Sequence, residues 1–170
     1  MKPETVIRPM RAEDMASVLE IQSCCYDETK LESEQSFLAK LKASPTSCFV
    51  ALVPDGLAGY LVAVPAEAGS PPPLNAPSFS APSTADALYL HDLAIHPAAR
   101  GKGAAVALIE AYFQALEQLK AQFACLTAVN DSKSFWERYG FRVAAPTGSA
   151  AGHMETYGEE ARYMSRPVNA

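Results

Sequence analysis

The residues best suited to chemistry lie in one stretch, Leu88 to Leu119 (LYLHDLAIHPAARGKGAAVALIEAYFQALEQL). Within it, Arg100-Gly101-Lys102-Gly103-Ala104-Ala105 separates an apolar, strand-like run from a long amphipathic pattern. Small residues there leave backbone N–H groups unscreened at an expected helix N-terminus, where unpaired donors and the positive end of the helix dipole attract an anion. Arg100 and Lys102 add positive charge at the same spot. The chemistry this predicts is binding of a phosphate-bearing cofactor, with the backbone from Arg100 to Ala105 against its pyrophosphate. A tight structural turn would explain a Gly-x-Gly before a helix equally well. His91 is the candidate base, since an unperturbed imidazole titrates near pH ~6.5 and can take a proton directly or through water. A hydrogen-bonded strand histidine without a catalytic part is the competing reading. Period-two alternation puts Tyr89 and His91 on one side of the strand and Asp92 on the other, provided no bulge intervenes.

The rest of the chain supplies elements to position these groups. Thr5 to Pro9 reads as a short first strand. From Ala12 the pattern turns helical, with Met15, Val18, Leu19, Gln22 and Cys25 on one face. Ser33 is the expected N-cap of a second helix carrying Phe37, Leu38 and Leu41 inward and stopping before Pro45. Cys48–Val53 and Leu57–Val64 flank Pro54-Asp55-Gly56 as a hairpin. Segment 66–86 is rich in Pro, Ser and Ala and lacks periodicity. It reads either as a surface excursion or as a flap over a pocket. After the central helix come a strand at Phe123–Val129, a helix that Asn130 and Asp131 could cap, a Gly140 stop, and terminal strands at Phe141–Ala144 and Arg162–Arg166.

With 170 residues, 49% of them hydrophobic, the chain can bury one full core, and no repeat or linker marks a second domain. A net charge of -5 argues against nucleic acid or an anionic membrane as partner. Cys24, Cys25, Cys48 and Cys125 follow no metal-ligand spacing, so reduced core or near-core thiols and no metal are expected. MKPETVIRPM lacks the apolar core of a signal peptide and no run is long enough for a membrane span, so a cytoplasmic protein is expected.

LHDLAIHPAARGKGAAVALI resembles the acyl-CoA-binding motif of the GNAT superfamily of N-acyltransferases, R/Q-x-x-G-x-G/A after an apolar strand, with Arg100, Gly103 and Ala105 at the defining positions. AVNDSKSFWERYGF resembles the family's next motif, an aromatic-rich helix ending in Gly-Phe, and ARYMSRPV its last strand. The likeness spans nearly the whole chain. It implies an α/β (α+β) fold in a single domain over residues 1–170, a central mixed, mostly antiparallel sheet flanked by helices. It also implies an acetyl-CoA-dependent N-acetyltransferase acting on a primary amine of a small molecule. A protein or peptide acceptor and a non-catalytic acyl-CoA-binding module are the alternatives, and a homodimer is compatible with it. A dinucleotide-binding assignment would need a third glycine and an earlier strand.

By the same resemblance, amides of Arg100, Gly101, Lys102, Gly103, Ala104 and Ala105 would cradle the pyrophosphate, and the strand edge at Leu93 and Ile95 would pair with pantetheine. LYLHDLAIH is similar to the histidine-bearing strand of arylalkylamine-type members, with His91 at one of two histidine positions and Tyr89 at the other. Where many members carry a tyrosine acid, this chain has Trp136, read as core or as a wall beside the thioester. Tyr139, about a helical turn on, is the expected acid, with Tyr157 or water as substitutes. Asn130 is expected to be a helix cap first and a cofactor contact second. His96 reads as a surface or cofactor-adjacent residue, and His153 as able to reach an acceptor pocket. Glu28, Glu32 and Glu34 would form a solvated acidic face or attract a cationic amine.

Overall fold

Hydrophobic alternation and helix caps assemble the chain into one seven-stranded sheet with helices on both faces. The computed structural model describes residues 5–168, so the first four residues of MKPETVIRPM and the last two of the chain lie outside the described residues. In chain order the elements are β1 (Val6–Pro9), α1 (Met15–Cys25), α2 (Glu34–Ala43), β2 (Cys48–Val53), β3 (Gly56–Ala66), β4 (Ala87–Ile95), α3 (Ala104–Gln118), β5 (Phe123–Ala128), α4 (Lys133–Glu137), β6 (Arg142–Val143) and β7 (Arg162–Pro167). The sheet order is β1-β2-β3-β4-β5-β7-β6, antiparallel throughout except for the β4–β5 pair. Among the described residues, no helix is long and apolar enough to cross a membrane.

Local chemistry explains the boundaries. The Ser33 hydroxyl accepts from the Ser36 N–H at 3.1 Å and starts α2, while Gly56, at φ 129°, lets the β2–β3 hairpin turn after Pro54-Asp55. α1 and α2 cover one face of the sheet, where Val18, Ile21, Phe37 and Leu41 pack on Val50, Tyr60 and Val62. The opposite face carries α3 and α4, with Leu108, Ile109, Tyr112, Trp136 and Phe141 packed on Leu61, Ala63, Leu88 and Leu90. Cys48 and Cys125 are buried and Cys25 half-buried, but Cys24 is exposed, because it lies on the outer side of α1.

The sheet departs from the expected alternation at one point. The β3–β4 register steps from Val62 opposite Asp92 to Ala63 opposite Leu90, so His91 is an extra, bulged residue. The bulge shifts the alternation by one. Asp92 therefore does not point away from His91: Tyr89, His91 and Asp92 all face the α1–α2 side, while Leu93 and Ile95 pack against the α3 cluster.

Just beyond the bulge, β3 and β4 approach unusually closely. A Cβ on Gly59 would stand 2.5 Å from Ile95 Cδ1 and 2.7 Å from the Ala94 carbonyl oxygen. Gly59→Ala is expected to destabilise the protein by about 1–3 kcal/mol through overpacking. Thermal unfolding of the variant checks this, and an unchanged melting temperature would mean the strands are not held this tightly.

Candidate active site

Strands β4 and β5 pair only from Ala87–Phe123 to Leu90–Leu126, although both continue beyond. Past the bulge they part. The His96 N–H donates to the Ala58 carbonyl at 2.8 Å, which fixes the β3–β4 ladder and turns the backbone of Leu93 and Ile95 away from β3. Their carbonyls face side chains of the α1 end: Leu93 O lies 3.1 Å from the Tyr26 hydroxyl, whose one proton it shares with Asp92, and the Cys25 thiol donates to Ile95 O at 3.2 Å. The N–H groups of Leu93 and Ile95 are thus left on the open edge. The gap widens into a cleft of about 440 Å³ that reaches from Arg100 and Ala105 at one end to Leu74 and Tyr157 at the other.

At the first end, Gly101 and Gly103 take left-handed φ values of 80° and 86°, and Gly103 is the N-cap of α3. A Cβ at either would meet nothing within 4 Å, so the glycines present bare backbone to open space. Among the described residues, no acceptor is taken by the N–H groups from Gly101 to Val106. A loop of unpaired donors at the N-terminus of a 15-residue helix, with Arg100 on the cleft wall, fits a diphosphate. Lys102 is exposed and stands outside the cleft wall; Ala104 is buried.

Toward the second end, His91 sits in a buried chain of polar groups. Its Nε2 bonds to Glu32 Oε1, and its Nδ1 faces the Tyr157 hydroxyl at 3.4 Å. The other Glu32 oxygen accepts from Ser36 Oγ at 2.7 Å and from Lys40 Nζ at 3.0 Å. Gln22 locks the Glu32 backbone, its amide donating to Glu32 O at 3.0 Å and accepting from Glu32 N at 2.7 Å. Burial would raise the Glu32 carboxyl, but the His91 ring and the Lys40 ammonium outweigh it and hold the carboxyl well below the usual range. Glu32 is therefore an ionised, buried anchor rather than part of a solvated acidic face; Glu28 and Glu34 are the exposed acids. Lys40 betrays the cluster in sequence, because it shares the apolar face of α2 with Phe37 and Leu41.

Asp92 is the second buried acid. Tyr26 and Tyr60 donate to its two oxygens at 2.8 and 2.7 Å. Burial, followed by the nearby Glu32 charge, pushes its pKa up to about 6. The folded chain thus holds this proton more tightly than the unfolded chain, whose aspartates titrate near ~3.9. Asp92 therefore subtracts stability as pH rises through that window, on the order of 3 kcal/mol once it is fully ionised above about pH 6. Glu32 acts with the opposite sign, adding stability above its unfolded pKa near ~4.3 and losing it only in more acidic solution. Asp92→Asn is accordingly expected to gain on the wild type by about 1 kcal/mol or more between about pH 5 and pH 7 in urea unfolding. A difference independent of pH would contradict the burial of this charge.

The remaining sequence candidates fall unevenly. Tyr139 is half-buried against the α3-side core beside Phe135 and Trp136, and it is not on the cleft wall; one turn of the short α4 rotates it past the cleft. Tyr157 is on the wall instead. Asn130 does not cap α4. With Asp131 it takes a left-handed conformation, φ 53° and 58°, the helix begins after Ser132, and Asn130 lines the cleft. Trp136 is both core and cleft wall. His96 caps the turn after β4 by accepting from the Ala98 N–H at 3.1 Å. His153 bonds to the Pro71 carbonyl at 2.8 Å and stays off the wall. Sequence reasoning passed over Tyr26, Tyr60 and Thr127, whose hydroxyls act here through contacts distant in the chain.

Segment 66–86 is pinned rather than free. The Gly69 N–H donates to the Tyr163 hydroxyl at 2.7 Å, the Tyr157 hydroxyl to Pro72 O at 2.6 Å, the Leu74 N–H to Thr156 Oγ1 at 2.9 Å, and the Ser33 N–H to Asn75 Oδ1 at 2.8 Å. These bonds stitch it to the C-terminal segment and to the start of α2, with Leu74 on the cleft wall.

The same architecture recurs among solved structures. The chain is similar to the loading GNATL domain of CurA from Lyngbya majuscula (TM-score 0.75, 11% identity, 98% of each chain covered) and to Ard1 from Thermoplasma volcanium (TM-score 0.71, 19% identity, 96% of this chain and 97% of that one). It is also similar to a chain of the NatC complex bound to Gag peptide and CoA (TM-score 0.70, 18% identity, 96% and 98% covered). At these identities the likeness is one of fold. By sequence, no curated protein matches. The acetyltransferase (GNAT) family model matches residues 15–141, and the chain belongs to that family.

Proposed function

We propose that the protein transfers the acetyl group of acetyl-CoA to the primary amine of a small molecule. The observation that carries this reading is that the diphosphate cradle at Gly101–Val106 and the Glu32-held imidazole of His91 lie along one cleft. Coenzyme A would lie with its diphosphate on the cradle and its pantetheine arm against the N–H groups of Leu93 and Ile95. Arg100 would add charge, and Asn130 a polar contact near β5. The fold likeness to a chain of a complex bound to CoA supports this donor.

In the mechanism, Glu32 fixes the imidazole tautomer. A proton on Nε2 points to the carboxylate and leaves Nδ1 as the basic nitrogen toward Tyr157 and the cleft. Nδ1 receives the proton of the attacking amine, directly or across the Tyr157 hydroxyl, and Glu32 stabilises the resulting imidazolium. Positioning of amine and thioester side by side in the cleft supplies a further part of the rate. Tyr139 lies off the cleft wall, so in this reading the acid's role falls to another group. The pinned 66–86 segment beside Leu74 and Tyr157 favours a small acceptor over an extended chain.

A peptide amine is the second reading, motivated by the fold likeness to a chain of the NatC complex, which is bound to Gag peptide and CoA. Thiol release from acetyl-CoA separates the two. Release is expected with one or more of a panel of polyamines, arylalkylamines, amino acids and aminoglycosides, and not with peptides. Release with peptides alone would replace the small acceptor, and none with any amine would refute the reaction.

A further inference from the structure

The polar chain that holds His91 does not end at Tyr157. The Tyr157 hydroxyl also accepts from the Tyr89 hydroxyl at 3.1 Å, and Tyr89 shares a proton with Thr127 Oγ1 at 2.6 Å, with either oxygen able to donate. Thr127 stands on β5 just past Leu126, where β5 has left β4, and it lines the cleft. Both ends of this line of hydroxyls, Tyr157 and Thr127, therefore open into one cleft, while its middle, Tyr89, is 1% exposed.

We propose that Thr127 is the proton donor to the departing thiolate, recharged through Tyr89 and Tyr157 by the proton that His91 takes from the amine. This inference rests on the acetyl-transfer reading above and assigns its missing acid. The balance closes within the site. The C–N bond forms, and the C–S bond breaks with its electron pair going to sulfur. One proton leaves nitrogen for His91 Nδ1. Thr127 Oγ1 gives its proton to sulfur and takes one from Tyr89, Tyr89 takes one from Tyr157, and Tyr157 takes one from the imidazolium. Products are an amide and a free thiol, and every side chain returns to its starting charge.

The chemistry of the intermediates suits passage and not storage. Burial raises Tyr89 and Tyr157 above the usual tyrosine range, so neither holds a negative charge at neutral pH; each can only accept one proton while releasing another. Hydroxyls rotate, so a single line can carry protons in either direction. The Pro72 carbonyl, which takes the Tyr157 proton at 2.6 Å, gives that hydroxyl a resting partner between turnovers.

The test compares Thr127→Val, Thr127→Ser and Tyr89→Phe with the wild type in amine-dependent thiol release from acetyl-CoA. Thr127→Val is expected to lower kcat by about tenfold or more at unchanged KM for acetyl-CoA, and Thr127→Ser to restore most of the loss. Tyr89→Phe should lower kcat similarly although the Thr127 hydroxyl remains. A packing role would show as loss in Thr127→Ser as well, or as a raised KM. Wild-type kcat in Thr127→Val overturns the proposal while leaving acetyl transfer intact. Absence of any amine-dependent turnover in the wild type overturns the acetyl-transfer reading and this proposal together. If Tyr89→Phe does not fold, the Val–Ser comparison at half-buried Thr127 still decides.

Discussion

Gly103→Glu is expected to abolish acetyl-CoA binding while leaving the protein folded. The left-handed φ of 86° at Gly103 costs a side chain roughly 1–2 kcal/mol, but a Cβ there meets no atom within 4 Å, so no packing is lost inside. The new carboxylate would stand among the unpaired N–H groups at the start of α3, satisfy them intramolecularly, and repel the diphosphate. Calorimetric titration with acetyl-CoA should show at least a hundredfold weaker binding, on the order of 3 kcal/mol. Gly103→Ala carries the same backbone strain without the charge and should bind far better than the glutamate variant. Normal affinity in Gly103→Glu would mean that the diphosphate lies elsewhere.

The second large effect concerns Glu32. Glu32→Leu leaves Lys40, 1% exposed, without its counter-charge, and a buried ion stripped of its partner typically costs about 3–5 kcal/mol. Urea unfolding should record a loss of that size. Adding Lys40→Met should recover most of it, because an apolar pair of similar volume replaces the ions at little net cost. Activity should not return in the double variant, because nothing then holds the His91 ring with Nδ1 toward the cleft. Recovery of both stability and turnover would reduce Glu32 to a packing role. A loss below about 1 kcal/mol in the single variant would contradict the buried ion pair itself.

What could be read from the sequence was local. The Ser33 cap, the Pro54-Asp55-Gly56 hairpin and the Gly101–Gly103 turn are each dictated by neighbouring residues, and each stands where its local chemistry places it; Gly140 takes the left-handed φ of 89° expected of a stop, but α4 has already ended at Glu137. What could not be read depends on partners far along the chain. The bulge at His91 exists only in the register with β3, and it reverses the side on which Asp92 lies. Glu32 looks like one of three exposed acids until α2 brings Lys40 and Ser36 to it and β4 brings His91. Tyr139 and Tyr157 are equivalent as residue types. The C-terminal segment, bonded to Pro72 and packed on His91, decides between them.

The pH dependence of kcat/KM for the wild type beside His91→Ala, with acetyl-CoA and an acceptor amine of fixed pKa, shows whether the imidazole takes the amine's proton. His91→Ala should fall by about 10²–10⁴-fold near neutral pH, where the amine carries a proton that must be removed, with the deficit shrinking in alkaline solution where the amine is already deprotonated. Equal rates for the two proteins from acidic to neutral pH would mean that the Glu32-held His91 does not take the amine's proton.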